Sequence, residues 1–138
     1  MSFSEPTTQP IEVLVRGQQS DGHLAVIDMA IPRDSDGPPL HVHPMHAEGF
    51  YILDGELEVQ IGDRVVTASA VSFAFAPTNT PHTFANFSGR DARILVLCTP
   101  AGFEPYFDRL AAGQAAQPPS GQAIAVGPQL SRGRDELA

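Results

Sequence analysis

Residues 37–55 read Gly37-Pro38-Pro39-Leu40-His41-Val42-His43-Pro44-Met45-His46-Ala47-Glu48-Gly49-Phe50-Tyr51-Ile52-Leu53-Asp54-Gly55, and three of the five histidines of the chain stand within six residues of one another here. Residues two apart on a β-strand point to the same side, so His41 and His43 present two imidazoles at a spacing that can chelate one ion. Pro44 and Met45 turn the chain. In the run that follows, alternation places Glu48, Phe50 and Ile52 on a common face. A carboxylate at the head of an apolar face needs a partner, because burial alone would force it to take up a proton or would destabilise the fold. A bound cation compensates that charge directly. His46 falls in the turn between these residues and is expected to be a solvated turn histidine.

Outward from this stretch, Asp54-Gly55 and Gly62-Asp63 each separate two apolar runs. Both dipeptides supply the positive φ angles of tight hairpins, so the middle of the chain is expected to be a meander. Between them Leu57, Val59 and Ile61 alternate with Glu56, Glu58 and Gln60, one face buried and one wet. Runs of this kind recur at intervals of about ten residues, the pattern of an antiparallel sandwich or barrel. Strands are expected over 11–16, 23–31, 41–43, 49–53, 56–61, 64–68, 72–76, 82–87 and 92–98. The turn through Pro77 and Pro81 leads into a strand carrying His82, Phe84 and Asn86 inward, and Phe50, Phe73, Phe75 and Phe84 read as core. Phe103, Tyr106, Phe107 and Leu110 have helical spacing over 103–112, with Gly113 placed to end that helix. Residues 114–122 read as a linker, 124–126 as a short strand, and 131–138 as a frayed end. The expected organisation is one barrel domain over 1–113 and a linker and tail over 114–138 that is no independent domain.

A chain of 138 residues with 42% hydrophobic content supports one core. Its formal charge of −8 would repel a phosphate backbone, so nucleic acid is not an expected partner. No run approaches the roughly 20 apolar residues that span a bilayer, and residues 1–10 lack the basic start and apolar stretch of a signal peptide. A single cysteine, Cys98, cannot close an intramolecular disulfide and reads as a small core residue. A cytoplasmic protein with no membrane association is the expectation.

The order Gly37, His41, His43, Glu48, Gly55 resembles the first motif of the cupin superfamily, and Pro77, Asn79, His82 and Asn86 resemble the second. The resemblance covers about residues 11–98. Two departures stand out: the interval from Gly37 to His41 is shorter than in the family pattern, and Asn79 occupies a usual glycine position. Asn tolerates the left-handed conformation such a turn needs. The resemblance implies an all-β fold, a double-stranded β-helix (the cupin jelly-roll barrel), here with one short C-terminal helix. It also implies the metal ligands His41, His43, Glu48 and His82. The segments 38–43, 49–56 and 99–104 further resemble small single-domain cupins related to quercetin 2,3-dioxygenases.

Three imidazoles and one carboxylate accept a divalent transition metal such as iron, manganese, nickel, copper or zinc, and affinity order alone does not choose among them. The expected activity is a metal-dependent dioxygenase on a small aromatic or enolic substrate, with Glu48 as catalytic base and Phe50, Ile52 and Phe84 lining the substrate pocket. One alternative is a non-catalytic binding or sensing module with a structural metal, favoured by the absence of any lysine. A metal-dependent isomerase or lyase is another. A homodimer is expected through the outer strands.

Overall fold

Period-two alternation builds ten strands among the residues described by the computed structural model, 10–114 and 121–132. In chain order these are β1 (Ile11–Val15), β2 (Ala25–Ile31), β3 (His41–Val42), β4 (Ala47–Asp54), β5 (Glu56–Ile61), β6 (Arg64–Ser69), β7 (Phe73–Ala76), β8 (His82–Ala85), β9 (Ala92–Thr99) and β10 (Ile124–Ala125), with helix α1 (Glu104–Ala111) between the last two. One antiparallel sheet has the order β1-β2-β9-β4-β7 and the other β10-β3-β8-β5-β6. They face each other as the expected double-stranded β-helix. Ile27, Phe50, Ile52, Ile94 and Val96 of the first sheet share a core with Leu57 and Val59 of the second.

The alternation is cleanest in β9, where Ala92, Ile94, Val96 and Cys98 are buried and the residues between them are half-exposed. Cys98 is a core thiol as expected, and burial, followed by the charges of Glu48 and Glu104, pushes its pKa far up. In β5, Leu57 and Val59 face inward as expected, but Gln60 is buried too, its Nε2 donating to the Gly62 carbonyl at 3.0 Å.

Two expectations are corrected. Gly62-Asp63 does close a hairpin, Ile61 pairing with Arg64, but Asp54-Gly55 does not: β4 pairs with β7 and β9, whereas β5 pairs with β6 and β8. The chain changes sheet at Gly55 (φ +82°), which sits so close to Ala92 that a Cβ would lie 3.0 Å from its Cα. A turn signal fixes where the chain bends, not which strand it then pairs with. Phe73 and Phe75 are also not core; they are 53% and 47% exposed on the outer face, while Ala74 and Ala76 of the same strand turn inward. Their register explains it, since Ala74 lies opposite Phe50 and Ala76 opposite Glu48, where small side chains leave room.

Helix α1 begins one residue later than expected, with Phe103 at its N-cap, and Gly113 (φ +72°) follows its end. Glu104 in its first turn accepts hydrogen bonds from Gly102 N–H (2.6 Å) and Gly17 N–H (3.0 Å), tying the helix to the β1–β2 connection. Arg16 and Asp108 join β1 to the helix through two parallel bonds of 2.9 and 2.7 Å. Residues 121–132 return to the barrel: β10 pairs Ala125 with His41, and Gln129 donates to the Gly37 carbonyl at 2.6 Å. Of the expected linker over 114–122 and the expected frayed end over 131–138, residues 115–120 and 133–138 lie outside the described residues, as do residues 1–9. Among the described residues no helix is long and apolar enough to cross a membrane.

Candidate metal centre

Antiparallel pairing of β3 with β8 sets His41 directly opposite His82. The turn before β8 is pinned to the first motif because Asn79 N–H donates to the His43 carbonyl at 3.0 Å, with Asn79 in the left-handed region (φ +65°). The asparagine thus serves where a glycine would. His41, His43 and His82 come within 4.5 to 5.0 Å of one another, centroid to centroid. Glu48 projects inward from β4 between two small neighbours, Ala76 on β7 and Cys98 on β9, so the strand has space for a carboxylate there.

Each of the three expected imidazoles is oriented through Nδ1 by a main-chain carbonyl. The partners are Pro39 for His41 (2.7 Å), Gln122 for His43 (2.7 Å) and Thr80 for His82 (2.8 Å). A carbonyl only accepts, so it assigns the proton to Nδ1 and leaves the Nε2 lone pair for a cation, the arrangement common to histidine ligands. Glu48 Oε2 lies 2.7 Å from His43 Nε2 and 3.6 Å from His82 Nε2. Burial alone would raise the Glu48 pKa, but contacts with His43, His46 and His82 hold it well below the ordinary carboxylate range. Burial also opposes charge on His43, and is outweighed by Glu48 and the Gln122 carbonyl, so its pKa rises. His41 is lowered by burial and by the two neighbouring histidines, which favours the neutral, ligand form.

Two overlapping sets of these residues fit a metal ion, His41 with His43 and His82, and His43 with Glu48. Two donors bound to one ion at about 2.1 Å stand about 3.0 Å apart at a right angle and about 3.4 Å apart at the tetrahedral angle. The Oε2–Nε2 distances bracket those values. Glu48 Oε2 and His82 Nε2 are buried without hydrogen-bond partners among the described residues, an arrangement that costs stability unless a cation completes it.

Sequence reasoning missed one member. His46 is buried (4% exposed), its Nε2 likewise lacks a hydrogen-bond partner, and it stands 3.5 Å from Glu48 Oε2. The signal was present: His46 precedes Glu48 by two, so the alternation of β4 extended one step back puts both on the inward face. The turn at Pro44 obscured it.

Beside the donors opens a cavity of about 530 Å³, its wall formed by His41, His43 and Glu48 together with mostly apolar side chains. Phe84, expected in the pocket, lines it. Phe50 and Ile52 are fully buried in the core behind it, Phe50 within 6.0 Å of the His82 ring and 5.7 Å of the Phe84 ring. Phe103 at the N-cap of α1, Tyr106 and Phe107 within it, and Ala123 and Ala125 around β10 also line the wall. Burial and, next, the charge of Glu48 raise the Tyr106 pKa, so its hydroxyl stays protonated.

The sequence pattern of the cupin domain family matches residues 28–98. The quercetin 2,3-dioxygenase of Bacillus subtilis (strain 168) is 24% identical over 98 residues, covering 71% of this chain but only 28% of that enzyme. Among solved structures, KdgF from Halomonas sp. superposes with a TM-score of 0.61 at 17% identity, covering 72% of this chain and 88% of its own. A predicted oxalate decarboxylase from Thermotoga maritima gives 0.61 at 21% identity, with 65% and 78% covered. Likeness at these identities establishes a shared fold.

Proposed function

The chain belongs to the cupin domain family, and from that premise we propose that it is a metal-dependent dioxygenase acting on a small aromatic or enolic substrate. The observation that carries this reading is the juxtaposition of a largely apolar cavity of about 530 Å³ with the donors His41, His43 and Glu48 in its wall, with His82 Nε2 3.6 Å from Glu48 Oε2. A cavity of that size suits a flat organic molecule held by apolar walls and oriented by a few polar groups. The relative named quercetin 2,3-dioxygenase supports the direction, although this chain spans about a quarter of its length.

A divalent transition metal held by His41, His43, Glu48 and His82 would supply Lewis acidity toward a substrate oxygen and access to redox chemistry. The chain's own contributions follow from the geometry. Phe84 and Phe103 flank the space in which a ring would lie, and the apolar wall excludes water. Glu48 is the base for a substrate hydroxyl once it swings off the metal, because the histidine contacts that hold its pKa low also make it a weak proton acceptor in place. The main-chain carbonyls of Pro39, Gln122 and Thr80 keep the imidazoles aimed throughout.

The test is elemental analysis of the protein purified without added metal or chelator, beside His41→Ala and His82→Ala, followed by oxygen-uptake assays with flavonols, catechols and diketones. Near-stoichiometric metal, lost in both variants, together with oxygen uptake on one substrate class, is the expected result. Metal without uptake on any of these, but with calorimetric binding of an aromatic ligand, would transfer the assignment to a binding or sensing module. That second reading draws on the scarcity of further polar groups in the cavity wall. An isomerase or lyase acting on a sugar is disfavoured by the same apolar wall.

The reading extends to association and location. Leu53, Val71, Phe73 and Phe75 are 41–75% exposed on or beside edge strand β7. At aromatic areas of about 200 Å² per ring they form an apolar patch on the order of 400 Å², comparable to the largest patch on a typical monomer and about half of one partner's share in a standard interface. A second copy of this chain is its proposed occupant, in a homodimer. A cytoplasmic setting would suit a protein with one buried thiol.

A further inference from the structure

We infer that His46 is a fifth protein donor to the metal, so that the centre is a constellation of four histidines and one glutamate. The inference deepens the metal reading above and rests on it. His43, just after β3, belongs to two overlapping donor groups: with His41 of β3 and His82 of β8, and with His46 of the β3–β4 turn and Glu48 of β4. In each group the donor atoms lie within 4.8 Å of one another; no one group holds all five, and Glu48 Oε2 links the two, 3.5 Å from His46 Nε2 and 3.6 Å from His82 Nε2.

Three observations distinguish His46 from an ordinary buried histidine. Its Nε2 is enclosed, lacks a hydrogen-bond partner among the described residues, and faces the same carboxylate oxygen as the other donors, at 3.5 Å against 3.6 Å for His82. Its ring stacks on that of His43, 4.2 Å between centroids and 25° between planes, and both Nε2 atoms approach Glu48 Oε2, at 3.5 and 2.7 Å. The Phe103 ring lies 4.9 Å away, so packing from α1 holds the imidazole in place without offering it a polar partner. A histidine kept merely for packing would turn its free nitrogen to a carbonyl or to solvent, as burial of an unpaired polar atom is unfavourable.

The consequence is selectivity. Five protein donors exceed what a tetrahedral ion accepts, so His46 favours metals that take five or six ligands, such as iron, manganese, nickel or cobalt, over four-coordinate zinc. It also leaves fewer positions for exogenous ligands than four donors would.

The experiment titrates the full-length apoprotein with cobalt(II) and nickel(II), following d–d absorption and calorimetric affinity, in wild type, His46→Phe and His82→Ala. His46→Phe keeps a ring to stack between His43 and Phe103, and His46→Ala serves as a second variant should the larger ring disturb folding, with circular dichroism confirming the fold of each. The expected wild-type cobalt spectrum is the weak absorption of a five- or six-coordinate ion. Both His46 variants should show more intense, tetrahedral-like absorption, at least tenfold weaker nickel binding and a preference shifted toward zinc. A folded His46 variant with the wild-type spectrum and affinity, while His82→Ala loses binding, would overturn the role of His46 and leave the metal centre standing. Failure of wild type to bind either ion would overturn the metal reading beneath it.

Discussion

Replacing Gly37 with alanine tests whether the first motif glycine holds the metal-bearing strands together. Gly37 has φ +72°, and a Cβ there would lie 1.8 Å from the Phe84 carbonyl oxygen and 2.9 Å from its carbonyl carbon. Carbon and carbonyl oxygen approach no closer than about 3.3 Å, so β8 would have to retreat by about 1.5 Å. Left-handed backbone costs an alanine about 1–2 kcal/mol and overpacking about 1–3 kcal/mol more, offset by about 0.4–1 kcal/mol from a less flexible unfolded chain. The expected net loss is about 2–4 kcal/mol in urea unfolding. Gly62→Ala is the matched control, because Gly62 has φ +61° but nothing within 4 Å of a Cβ, so only the backbone cost applies. Its loss should be about 1 kcal/mol. Phe84 is two residues from His82, so Gly37→Ala should also weaken nickel binding, whereas Gly62→Ala should not. Equal destabilisation by the two substitutions would refute the steric argument, and intact metal affinity in a destabilised Gly37→Ala would refute the coupling to His82.

Glu104→Ala strips the acceptors from the half-buried Gly17 amide and the exposed Gly102 amide and should cost about 1–3 kcal/mol in urea unfolding, since water replaces the partner of the exposed amide. Burial works against the Glu104 charge, but the amide bonds and Arg16 hold its pKa below 4.5, so its contribution is full above that pH and fades as pH falls through the lower folded value. The gap between wild type and variant measured at pH 7 should therefore narrow as pH falls below 4.5, and a gap that widened there would contradict the sign. Phe73→Ser with Phe75→Ser should convert a species of twice the 14.7 kDa chain mass into a monomer by light scattering, and a wild type already at 14.7 kDa would remove the dimer.

Of the metal centre, the parts legible in sequence were those set by short-range geometry. His41 and His43 are two apart on a strand and share a side at any register; Glu48, Phe50 and Ile52 follow the same rule, and Asn79 announced a left-handed turn that the structure contains at φ +65°. The Gly62-Asp63 hairpin was equally local. The partial failures have a common cause. Alternation divides a strand into two faces without saying which is inward, so Phe73 and Phe75 read as core although the alanines between them face Phe50 and Glu48.

What the sequence determined by itself was the repertoire: strands from period-two patterning, two imidazoles at chelating distance, a carboxylate requiring a cation, and glycines at the turns. Only the tertiary structure decided the rest. Gln122 orients His43 from 79 residues away, α1 lays Phe103 across His46 and the cavity, and the crossing at Gly55 sends β4 and β5 into opposite sheets. The reason is that spacing along a chain prescribes direction over a few residues, whereas burial and orientation depend on which distant segments close over a side chain. His46 shows the difference most plainly: its register was readable two residues before Glu48, but its burial came from an aromatic helix that no local pattern places there.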